Sequence, residues 1–98
     1  MTTFATGKQT GTLPAPPSGA YEGLVFRIIV APDPLSAGIT YFRMGTTNMI
    51  PFNKPGATGA NDKPYIHSAG QDANSIDPTN FSIGQTGTDG CYVTYVWL

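Results

Sequence analysis

Charge is scarce in this 98-residue sequence: Asp, Glu, Lys and Arg make up 11% of it, against about 25% in a typical soluble domain. The cations Lys8, Arg27, Arg43, Lys54 and Lys63 are scattered, and the formal net charge is −1. Nucleic-acid affinity rests on Lys and Arg neutralising phosphates, so direct DNA or RNA binding is not expected. Cys91 is the only cysteine, which excludes an intramolecular disulfide. No apolar run approaches the ~20 residues that span a bilayer, so no membrane partner is expected. The opening MTTFATGKQTG lacks the charged-then-apolar order of a secretion signal. The sequence therefore reads as a product made in a host cytoplasm, with no signal peptide.

What it has instead is Gly, Pro and Thr. Twelve Gly and nine Pro punctuate the whole length, and hydrophobic residues make up 40%. High Thr, Gly and Pro with few helix formers points to an all-β domain with long loops. That apolar content at so low a net charge argues against disorder throughout. Apart from Met1, residues 1–19 hold only Phe4 and Leu13 as large apolar groups. LPAPP, Leu13–Pro17, should be extended, because proline fixes φ and removes a donor. Residues 1–19 thus read as an extended Thr/Gly/Pro-rich N-terminal arm, and 20–98 as a single β domain.

Within that domain AYEGLVFRIIVA (Ala20–Ala31) is the first strong strand, with Leu24, Phe26, Ile28 and Val30 on one face. PDPLSAG turns the chain, and ITYFRM (Ile39–Met44) follows as a strand that should pair antiparallel with the first. GTTNMIPFN holds Pro51, which restricts it to an edge strand or a packed loop. KPYIHS (Lys63–Ser68) is a short strand between two Gly- and Asn-rich loops, the second pegged by Ile76. FSIGQ (Phe81–Gln85) and Cys91–Leu98 read as a hairpin, with Gly90 supplying positive φ at the turn. The expected fold is a small antiparallel β-sandwich or partly open barrel of five to seven strands, with long Gly/Pro/Asn-rich loops.

The last strand is apolar on both faces. Cys91, Val93, Tyr95 and Trp97 alternate with Tyr92, Thr94, Val96 and Leu98. A lone small sandwich should be polar on its outer face. An apolar second face needs a cover: the loops, the arm or another subunit.

Catalytic and metal chemistry find little support. His67, the single histidine, could pair with Ser68 or Cys91, but no nucleophile-elbow or protease-type motif surrounds them. Cys91 reads as a small buried side chain. Asp72, Asn74 and Asp77 offer oxygens, yet an EF-hand loop from Asp72 would need an oxygen ligand at Ile76, Gly at Asp77 and Glu at Ile83. The simpler reading of that loop is Asn and Asp capping turns. No cofactor, no metal and no catalytic residue is expected.

Two functional readings follow. The first is a non-enzymatic structural protein of a viral, phage-like particle: a small capsid decoration or cement protein, or a minor capsid protein. In construction the chain resembles small phage decoration proteins, with no motif that carries a family match. It would sit on the virion surface, form a homo-oligomer, and bind its own or a major capsid-type subunit. Its contacts would be Phe4, Leu13, Pro14, Pro16 and Pro17 of the arm and Tyr92, Val96 and Leu98 of the sheet face. The alternative is a small lectin-like carbohydrate-binding module, with or without calcium assistance, using Tyr and Trp faces with the loops 53–63 and 68–80.

Overall fold

The computed structural model describes residues 2–16, 25, 27–52, 63–69, 76–84 and 89–97. Seven strands run through them: β1 (Thr2–Gln9), β2 (Arg27–Pro32), β3 (Thr40–Met44), β4 (Thr47–Phe52), β5 (Tyr65–Ser68), β6 (Phe81–Gly84) and β7 (Cys91–Trp97). They form two open sheets, ordered β1-β7-β2-β5 and β4-β3-β6. Every pairing is antiparallel. The expectation of an all-β antiparallel domain holds, and the open two-sheet arrangement is sandwich-like, with no closed barrel. Among the described residues the one helical element is a 3-10 turn, Pro78–Asn80.

Period-two alternation builds the core. Cys91, Val93, Tyr95 and Trp97 of β7 and Ile28 and Val30 of β2 point inward from the four-stranded sheet. Phe42, Phe52, Phe81 and Ile83 meet them from the other. Phe42 stacks on Phe81 with ring centroids 5.2 Å apart and planes 7° from parallel. Ile76 is buried as the expected loop peg, and its N–H donates to the Val25 carbonyl at 2.7 Å. Asp77 caps the 3-10 turn, its carboxylate accepting from the Thr79 N–H.

Two expected pairings are not formed. β2 and β3 lie in different sheets, because both hydrogen-bonding edges of β2 are taken by β7 and β5. The connection between them is pinned as a crossing rather than a hairpin. Asp33 accepts from the Leu35 N–H at 3.0 Å, and the Asp89 carboxylate accepts from the Ala37 and Gly38 N–H groups at 2.9 Å each. The Phe81–Leu98 hairpin is likewise absent: β6 pairs with β3, while β7 sits between β1 and β2. The tight hairpin is β3–β4 instead. Gly45 at φ +60° takes the first central position of a two-residue turn, the position where a II′ turn wants glycine. β4 is the edge strand that Pro51 demanded.

Gly90 also serves a different end from the one expected. Positive φ among the described residues falls on Gly7 and Gly45, not on Gly90. A Cβ on Gly90 would run into the carbonyl oxygen of Gln9. Glycine there lets β1 lie close against the start of β7.

Candidate partner-binding site

The two groups of residues expected to bind a partner are the N-terminal segment and the second face of β7. The structure brings the first group onto the chain's own sheets. β1 pairs along β7 from Thr2 opposite Trp97 to Gln9 opposite Cys91, with a bulge between Ala5 and Gly7. Gly7 relieves the bulge at φ +86°, a conformation that side chains resist. Thr6 Oγ1 fills the irregular step by donating to the Val93 carbonyl at 2.9 Å.

Beyond β1 the chain changes sheets. Thr12 bridges Ser82 of β6. The Leu13 N–H donates to the Phe81 carbonyl at 3.0 Å, and the Ile83 N–H donates to the Gly11 carbonyl at 2.9 Å. Leu13 is 1% exposed and belongs to the core. Pro14 is exposed, but its carbonyl accepts the Tyr95 hydroxyl at 2.6 Å. Phe4, 37% exposed, leans over Tyr95 and Trp97 at centroid distances of 6.2 and 6.4 Å. Residues 2–14 therefore act as a strap. They complete the free edge of one sheet and then the free edge of the other. Pro16 is half-buried; Pro17 and Leu98 lie outside the described residues.

One ion pair fixes the strap's middle. Lys8 Nζ lies 3.0 Å from Asp33 Oδ2, and the Asp33 carboxylate is almost fully buried. The Leu35 N–H and then Lys8 hold the Asp33 carboxyl below the usual carboxylate range, and the bond to Asp33 holds Lys8 above its own. Sequence reasoning missed Asp33. Its signal was local: an Asp between Pro32 and Pro34, ahead of a Ser-Ala-Gly turn, is a side chain placed to cap its own backbone.

The second group lies on the outer face of the four-stranded sheet. Strand register lays its side chains in rows: Thr3–Val96–Arg27–Ser68, Ala5–Thr94–Ile29–Ile66, and Lys8–Tyr92–Ala31. Val96 is 3% exposed, so it is already covered within the chain. Tyr92 is 47% exposed and Ile66 is 53% exposed. Ile29 and Ala31 lie between them in register, half-buried. Sequence reasoning missed Ile66, Ile29 and Ala31 as members of this face, because the face exists only once β2, β5 and β7 are placed side by side.

The residues weighed for chemistry are dispersed. His67 sits in an aromatic cluster, 4.9 Å from the Phe81 ring and 5.6 Å from the Phe42 ring, with Nδ1 3.4 Å from the Tyr65 hydroxyl. Burial pushes its pKa below the usual imidazole value. Cys91 is buried against the Thr40 hydroxyl, 3.3 Å from its Sγ, and burial pushes the thiol up. Tyr95 and Trp97 face the core, while Tyr92 faces out. No group of three or more His, Cys, Asp or Glu side chains forms a metal-binding cluster among the described residues. The residues Asp72 and Asn74, and most of the two long loops, lie outside the described residues.

No protein-family model, no curated protein and no solved structure matches the chain.

Proposed function

We propose that the protein is a non-enzymatic structural component of an assembled particle, of the kind that decorates or cements a virion surface by binding neighbouring subunits. The observation that carries the proposal is the outer face of the four-stranded sheet. Tyr92 and Ile66 expose about half of their surface there, on either side of Ile29 and Ala31 in the register. An antiparallel sheet that faces water is ordinarily polar on that side. A contiguous apolar face rimmed by polar residues marks a contact surface. Thr3, Lys8, Thr94, Arg27 and Ser68 border it in the register. Low overall charge supports the same reading, since a chain that must stay dispersed benefits from more of it. Burial of this face between subunits would stabilise the particle by linkage, because the contact exists only in the folded state.

The test is native mass spectrometry of the full chain across a dilution series, beside the double variant Ile66→Ser/Tyr92→Ser. Both positions are half-exposed, so the variant should retain the fold, which circular dichroism checks. A wild-type oligomer that the variant loses is the expected result. A wild-type protein that is monomeric at every concentration and is not retained by any particle subunit would overturn the proposal.

A further inference from the structure

We infer that His67 is an acid-sensitive latch on β5, and that its protonation frees β5 from the opposite sheet and so withdraws Ile66 from the outer contact face. The inference rests on the assembly reading above and names how that face is regulated. Alternation along β5 puts the two roles on adjacent residues. Ile66 points outward, 53% exposed, in register with Ile29. Tyr65 and His67 point inward. Tyr65 packs on Phe42 at a centroid distance of 5.7 Å, and His67 packs on both Phe42 and Phe81, at 5.6 and 4.9 Å. Among the described residues β5 is a sheet edge that pairs with β2 alone, from Arg27 opposite Ser68 to Val30 opposite Tyr65. A short edge strand bonded on one side opens at low cost, so its inward contacts decide whether it stays closed. When it opens, β2 keeps its pairing with β7.

Protonation puts a positive charge into this contact, and among the described residues no anion faces it. On β5 itself the Tyr65 hydroxyl, 3.4 Å from Nδ1, is neutral. β3 and β6 present Phe42, Phe81 and Ile83. The charged residue of β3 is Arg43, which lies on the other side of that sheet, over Gly84. On β2 the residue opposite His67 is Ile28, and its neighbour Arg27 is again a cation. Asp77, ahead of β6, holds the Thr79 N–H and hydroxyl with its carboxylate. A charge buried without a partner is penalised, and a phenyl face offers a cation only a modest attraction in return. Burial accordingly favours the neutral ring. Opening β5 returns His67 to water, where an imidazole titrates near about 6.5. The open form binds more protons, so the advantage of the closed form is fully present above about pH 6.5 and falls as pH drops below it.

Amide hydrogen exchange of the full chain, read by NMR from neutral to mildly acidic pH and in low concentrations of urea, tests the latch. Local opening predicts that the amides pairing β5 with β2 exchange nearly independently of urea, while those between β2 and β7 follow it. Their protection, corrected for intrinsic rates, should fall by up to about tenfold per pH unit below about 6.5. His67→Phe should abolish that fall. His67→Gln is the second neutral variant, used where circular dichroism shows that phenylalanine disturbs the fold. Protection of β5 that ignores pH or rises with acid, that shares the urea dependence of β2 and β7, or that falls equally in the folded neutral variants would overturn the latch. Native mass spectrometry at the two ends of the pH range then separates the two claims. An oligomer that wild type loses in acid and His67→Phe keeps is the expected result. An oligomer that both lose alike would overturn the coupling to the contact face. Acid opening of β5 in a chain that stays monomeric throughout supports the latch and overturns the assembly reading. A chain that assembles while β5 ignores acid overturns the latch and leaves the assembly reading standing.

Discussion

The Tyr95 hydroxyl donates a 2.6 Å hydrogen bond to the carbonyl of Pro14, across 81 positions of sequence. Tyr95 stands in the middle of β7, with its ring in the core and its hydroxyl at the point where the strap leaves the second sheet. Burial pushes its phenol pKa well above the ordinary value, so it remains a donor across the working pH range. The hydroxyl therefore ties the end of residues 2–14 to the strand against which they began.

Tyr95→Phe keeps the ring and removes only that tie. It should cost about 1 kcal/mol, the net worth of one hydrogen bond that leaves a partly exposed acceptor. Urea denaturation should show a lower midpoint with an unchanged slope. A larger loss with a changed slope would mean that the hydroxyl supports more than the strap.

Gly90 and Gly84 make a matched pair for steric tests. A Cβ at Gly84 would meet Cδ, Nε and Nη1 of Arg43, a flexible side chain that can yield by giving up its bond to the Thr46 carbonyl, where a backbone carbonyl cannot yield at all. A Cβ at Gly90 would meet the backbone carbonyl of Gln9, with Thr10 Cγ2 at 3.1 Å and Lys8 Cε at 3.2 Å behind it. Gly90→Ala should therefore cost about 1–3 kcal/mol, the range for forced overpacking, and Gly84→Ala should cost less. Thermal melting of the two variants side by side checks the order. Equal losses would show that β1 does not press on the start of β7.

His67 gives the fold a pH dependence with a definite sign. Its folded pKa lies below the ordinary 6.5 because burial in the aromatic cluster penalises the charged ring. Between the two values the unfolded chain binds more protons than the folded one, so stability rises with pH through that window. The stabilisation is fully present above pH 6.5 and is lost as pH falls toward the folded value. His67→Phe should flatten this part of the profile while keeping the cluster of Phe42, Phe81 and Tyr65 filled. Urea midpoints across mildly acidic to neutral pH measure it. A slope that survives the substitution would assign the dependence to another group.

Much of the fold is legible in the sequence, and the illegible part has a physical cause. β7, β3 and β2 announce themselves by alternating Val, Ile, Phe and Tyr. Pro51 marks an edge and Ile76 marks a peg because a backbone donor is missing from one and a polar loop surrounds the other. β1 gives a much weaker signal. TTFATGKQ carries one large apolar group, and it is a strand because β7 offers it an open edge rather than because it buries a face of its own. Pairing partners were likewise unreadable where the choice is non-local. Nothing in PDPLSAG states that Asp89, some 50 positions away, will hold the turn open as a crossing between sheets. The outer face is half legible. Tyr92 and Val96 stand out in β7, but the burial of Val96 and the membership of Ile29 and Ile66 depend on neighbours that sequence does not supply.

Hydrogen–deuterium exchange of the full chain, read at single amides by NMR, tests most directly whether residues 2–13 are a built strap across both sheets. The Leu13 and Ile83 amides, which donate to Phe81 and Gly11, should be protected to nearly the level of the β7 core amides. The amides of β1 that face β7 should follow closely. Exchange of Leu13 and of all of β1 at unstructured rates, beside a well-protected β2 and β7, would contradict the strap and return the segment to a free arm.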